Sequence, residues 1–232
     1  MSETVRTSRI SIPLLVGAFV AGYVAAGLLA LVAVQLSGVE DALELPMEWA
    51  LLAQLGLWGA MLGLPWLVAR MNGERLIEVR SLVPSRRDVG LGVLVGAGMQ
   101  LVVLPIVYTF LFRVDNDEVS EAARELTDRA DGVLGIGALI LLAAIGAPIV
   151  EEVFHRGLLQ PRLISRLAVP GGIAVTALLF GASHLQLLQL PGLVLFGLAV
   201  GALAHWRGSL GSPIVAHVVF NSIALLTLLA VE

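Results

Sequence analysis

Glu151 and Glu152 stand side by side in the stretch Ala147-Pro148-Ile149-Val150-Glu151-Glu152-Val153-Phe154-His155-Arg156, within an apolar run long enough to lie in a membrane. Two carboxylates at that depth are costly, and an intramembrane acid is a functional-site hypothesis once a partner is named. On a helix, positions four apart share a face, so Arg156 is placed to pair with Glu152. Glu151 is turned about 100° away from Glu152 and needs a partner from another segment. Two further polar clusters offer one: Phe180-Gly181-Ala182-Ser183-His184, and His217 with Asn221 four residues later. A lone histidine in an apolar helix is more often a hydrogen-bonded packing residue than a catalyst, and interhelical hydrogen bonds are common in membranes. Three such clusters in an otherwise nearly polar-free core exceed that expectation. A carboxylate and a neutral imidazole facing one water can deprotonate it for attack on a carbonyl. A second histidine and an asparagine can donate hydrogen bonds to the oxyanion that develops. Together these groups suit peptide hydrolysis without a covalent intermediate.

The elements that must carry these residues are membrane helices. Of the 232 residues 58% are hydrophobic and 14% charged, with a mean hydropathy of +0.93. Soluble domains carry about 25% charged residues. A spanning helix needs about 20 apolar residues. Seven segments qualify, at roughly 10–36, 48–69, 89–112, 133–155, 171–189, 190–206 and 210–230. The fold expected is therefore all-α, a polytopic membrane helical bundle of about seven transmembrane helices. Residues 1–88 would supply the first two helices and an Arg-rich loop, and residues 89–232 the core that bears the polar site, in one integral membrane domain. The apolar run from Ile10 to Leu36 exceeds the 7–15 residues of a secretory signal core and reads as a retained first helix. If the fourth helix continues through Pro161 to about Arg166, Glu151 lies ~22 Å, His184 ~20 Å and Asn221 ~16 Å from the same membrane face at 1.5 Å per residue. The groups can then meet in one layer.

Loop charge sets the orientation. All fourteen basic residues are Arg, and eleven of them fall on one side under a seven-helix count. That side is expected to be cytoplasmic, with the N-terminus inside, the C-terminus outside and the chain multi-pass in the cell membrane. The absence of Lys excludes a Schiff base and a Ser-Lys dyad, and the absence of Cys excludes disulfides, thiolate metal sites and a cysteine nucleophile. Membrane lipids are expected partners and nucleic acid is not. Asp115-Asn116-Asp117-Glu118 begins like a calcium loop but lacks the glycine at the sixth position, so a solvated acidic helix over Val119–Arg129 is expected instead. Gly59/Gly63, Gly92/Gly96 and Gly197/Gly201 have the spacing that lets helix backbones approach closely, read here as packing inside one bundle.

There is no His-Glu-x-x-His and no Gly-x-Gly-Asp. The ordered set Glu151-Glu152-x-x-x-Arg156-Gly157, Phe180-x-x-x-His184 and His217-x-x-x-Asn221 resembles the CPBP family of intramembrane proteases, which includes the type II CAAX prenyl endopeptidases and Abi-type immunity proteins. The resemblance covers about residues 89–230. It implies that Glu151 is the catalytic base, that His184 helps hold the water, that His217 and Asn221 form the oxyanion hole, and that Glu152 and Arg156 support the site. It implies no cofactor, with a zinc ion on Glu151, His184 and His217 as the metal-dependent alternative. The substrate would be a peptide or protein in or at the membrane, lipidated or not. A frequent Phe of the family is His155 here, expected near the inner end as an interfacial residue or as a perturber of Glu151. The competing readings are a non-enzymatic scaffold or bacteriocin-immunity protein of the same fold, in which the polar layer only holds the bundle together, and a proton- or ion-coupled transporter, against which the lack of an inverted repeat counts.

Overall fold

The computed structural model describes residues 10–40, 45–76, 82–113, 124, 127–130 and 132–230. The acidic segment expected to form a solvated helix lies almost wholly outside these residues, as do Arg6, Arg9 and Arg80. Among the described residues the structure is helical throughout. Helix α1 spans Ile12–Ser37 and α2 spans Met47–Met71. Helix α3 covers residues 86–112 and α4 covers 132–167. A short α5 follows over 169–182, then α6 (Leu190–Arg207) and α7 (Gly211–Leu229).

Among the described residues six runs are long and apolar enough to cross a membrane, because Gly132–Ala182 is one run of 51 residues. At 1.5 Å per residue that is about 75 Å, far beyond a core about 30 Å thick. The run must fold back, and it does so at Ala168, whose φ of 58° and ψ of 173° break the helix two residues before Pro170. The seven expected segments are thus present, with two corrected. The fourth helix runs through Pro161 to residue 167. The fifth ends at Ala182 rather than near Gln189, because Leu185 takes a φ of 56° and Pro191 favours the first turn of a new helix. Residues 183–189 therefore leave the helix at the depth of the polar cluster.

Helices α3 and α4 are wound loosely at intervals. Turns with i→i+5 bonding cover Met99–Val103, Val107–Phe112, Ile140–Gly146 and Val153–Leu159. Three of them end two residues before a proline, at Pro105, Pro148 and Pro161, and the one over Val107–Phe112 does not. Proline removes a backbone donor and crowds the carbonyl four residues earlier, and a widened turn relieves both. Glu151 and Glu152 sit in the six α-helical residues between two such turns.

Packing follows the small residues. Gly92 and Gly96 lie against Ser212, Val215 and Ala216 of α7, where any side chain would collide with backbone oxygens. Gly197 faces Ala177 of α5 at similarly close range. Gly59 and Gly63 face open space, so the expected packing role does not extend to that pair. At one end of the bundle Asp88 joins three helices. It caps α3 through a reciprocal Ser85 box, and its Oδ1 accepts from Arg207 Nε at 2.8 Å and Ser212 Oγ at 2.6 Å. Arg162 of α4 donates at this end to the carbonyl of Ile10, just before α1. Arg70, Arg86, Arg87, Arg162, Arg166 and Arg207 all sit on helix ends of this side.

Candidate active site

Helix α4 runs through the middle of the bundle and presents two different faces at its carboxylate pair. Glu152 is fully buried. Arg156 Nη1 donates to Glu152 Oε1 at 2.8 Å, the i,i+4 geometry expected from spacing, and Arg156 Nη2 donates to the Gly197 carbonyl at 3.3 Å. His217 of α7 donates from Nδ1 to the same carboxylate oxygen at 2.8 Å. Arg156, Glu152 and His217 thus form one closed polar cluster inside the bundle. The guanidinium lies 4.4 Å over the ring of Phe180, a cation–π contact in a dry surrounding.

Glu151 turns the other way. Its Oε2 lies 4.0 Å from His184 Nε2, with the two side chains 18% and 30% exposed. His184 Nδ1 is 2.9 Å from the Phe180 carbonyl. A carbonyl only accepts, so Nδ1 carries a proton, and in its neutral form the ring turns an acceptor, Nε2, toward Glu151. Two acceptors 4.0 Å apart do not bond to each other, but one water can donate to both. Asn221 donates from Nδ2 to the Ala143 carbonyl at 2.8 Å and faces a cavity of about 380 Å³. His184 lies on the wall of that cavity with Gln100, Tyr108, Gln186 and Gln189, among leucines and Phe220. The expected residues therefore fall into two groups. Glu151, His184 and Asn221 look outward to water or the cavity, whereas Glu152, Arg156 and His217 are sealed behind them.

Residues 134–223 match the family model of type II CAAX prenyl endopeptidase Rce1-like proteins. Over this stretch the chain is similar to that family. No curated protein and no solved structure matches the chain. The matched stretch begins in α4 and ends within α7, and it contains all six residues named from the sequence. The matched family is one of peptidases.

The structure does not assemble the zinc set considered from sequence. Among the described residues no three His, Cys, Asp or Glu side chains converge as a metal site. His217 directs Nδ1 to Glu152, while His184 faces Glu151, so the three donors point to two places.

His155 is corrected. It is 2% exposed rather than interfacial, and its ring packs edge-on to Phe154 and Phe180. It bonds the Glu151 carbonyl at 3.0 Å, not the carboxylate. Phe180 was read only as part of a motif. It is completely buried and touches His155, His184, His217 and Arg156 at once. Tyr23 and Tyr108 were not singled out at all. Their signal in the sequence is a hydroxyl within a largely apolar stretch.

Proposed function

We propose that the protein is an intramembrane endopeptidase that hydrolyses a peptide bond of a membrane-associated or lipidated substrate with a water held between Glu151 and His184. The observation that carries this reading is the 4.0 Å gap between Glu151 Oε2 and His184 Nε2, beside a cavity walled by Asn221. Water donates one hydrogen to each acceptor, which turns its lone pair toward the substrate carbonyl. As the oxygen bonds to carbon, Glu151 takes the proton and the carbonyl becomes an oxyanion. Asn221 spends one amide hydrogen on Ala143 and offers the other to that oxyanion. His217, expected in the hole, instead steadies Glu152 from behind through Nδ1. Collapse of the tetrahedral species breaks the C–N bond, and the proton on Glu151 passes to the leaving nitrogen. Arg156 holds Glu152 in place and takes no part in proton transfer. No metal enters these steps. The cavity, apolar with carboxamide groups at intervals, suits an extended peptide with uncharged side chains.

The test uses the purified protein in lipid vesicles, a library of peptides with apolar segments, and mass spectrometry of the products. Discrete cleavage is expected, lowered about 10²–10⁴-fold in His184→Ala and unaffected by a metal chelator. A His184→Ala protein that cuts at the parental rate would sink the assignment, and full inhibition by the chelator would replace the mechanism.

A further inference from the structure

We propose that Tyr23 and Tyr108, the two tyrosines of this chain, are positioning residues that fix the 183–189 segment and so hold His184 opposite Glu151. The proposal rests on the reading of His184 given above and concerns residues outside the matched stretch 134–223. Tyr23 comes from α1 and Tyr108 from α3, 160 and about 80 residues before the segment they touch. Tyr23 Oη donates to the Ser183 carbonyl, immediately before His184. Tyr108 Oη lies 3.1 Å from the carbonyls of both Leu188 and Gln189 and shares its one hydrogen between them. The same oxygen accepts from Gly192 N at 3.1 Å, an amide of the first turn of α6 that has no partner within its own helix. The segment is thus pinned at both ends by hydroxyls from helices remote in sequence.

Such pinning is required here. Non-helical backbone at membrane depth is tolerated only where protein supplies its hydrogen bonds. Within the segment Leu185 has a φ of 56°, a conformation that a branched side chain adopts only when its surroundings over-determine it. Leu185 adjoins His184, so relaxation of that residue would swing the imidazole. The 4.0 Å separation from Glu151 fits a single water, and a displacement near 1 Å is enough to misplace an attacking group. Gly192 belongs to the same device. A Cβ there would stand 2.6 Å from Tyr108 Oη, so only glycine admits the ring. Phenylalanine at either tyrosine would fill the same space, and what remains to be explained is the hydroxyl.

Tyr23→Phe and Tyr108→Phe in the full chain, reconstituted in lipid vesicles, test the proposal by two readouts. The chain has no Cys, so Leu187→Cys, at a position 87% exposed, takes a single spin label within the segment. Each Phe variant is expected to mobilise that label. In peptide cleavage, kcat is expected to fall about tenfold, as for one lost hydrogen bond, with KM within a factor of about two. Unchanged spectra in both variants would overturn the proposal, and so would a mobilised label with kcat unaltered. If the parent protein cleaves no peptide, the peptidase reading fails, and the spin label alone decides whether the tyrosines hold the segment.

Discussion

Glu151 and Glu152 differ in surroundings because one helical step separates them by about 100°. Glu152 is turned into the bundle, where Arg156 and His217 share its Oε1. Glu151 is turned toward His184 and water. The Glu152–Arg156 contact was legible in the sequence because an i,i+4 spacing fixes it regardless of the tertiary fold. The His217–Glu152 bond was not, because it depends on how α7 is rotated against α4. The same ignorance of azimuth left His155 looking interfacial when Phe154 and Phe180 in fact enclose it. A buried ion pair stripped of one partner leaves an uncompensated charge. Arg156→Ala should therefore destabilise the protein by about 3–5 kcal/mol in a denaturant titration in detergent, whereas Arg156→Met with Glu152→Gln should cost clearly less. Equal losses for the single and double changes would mean that charge compensation is not what Arg156 supplies.

At the scale of elements, apolar run length located the helices, and proline marks three of the four places where they loosen. It did not reveal that the fourth and fifth segments form one run broken at Ala168, since no glycine or proline occupies the break itself. Nor did it show the segment over 183–189, whose leucines read as a continuing helix. Glycine spacing was equally ambiguous. Gly59/Gly63 and Gly92/Gly96 look alike as text, yet only the second pair meets a neighbouring backbone. Gly96→Ala would press a methyl on the Ala216 carbonyl and should lower stability by about 1–3 kcal/mol, read as a drop in Tm. Gly59→Ala meets nothing and should stay within about 0.5 kcal/mol of the parent. The opposite ranking would show that α3 and α7 are not packed as described.

At the scale of the whole molecule, α1 and α2 enclose the site from outside the matched domain. Leu15 of α1 and Met61 of α2 share a core with Phe154 and Leu158 of α4, and Phe19 stacks on Phe154. The Arg residues gather at the end where Asp88 ties α3, α6 and α7 together. Seven passages would put the two termini on opposite sides, and the Arg-rich end is proposed to be cytoplasmic. Reporter fusions at the N- and C-termini should therefore show an inside start and an outside finish. Two reporters on the same side would mean an even number of passages, with one of the seven helices, such as the short α5, failing to cross. The fold class was legible from composition alone, while the division of the site was not, because it depends on contacts among helices distant in sequence. The central claim is that Glu151 activates the water, and the rate of peptide cleavage by Glu151→Gln in lipid vesicles tests it most directly. The amide keeps the shape of the side chain but cannot take the proton, so the rate should fall about 10²–10⁴-fold with Tm unchanged. Cleavage by this variant at the parental rate would contradict the account.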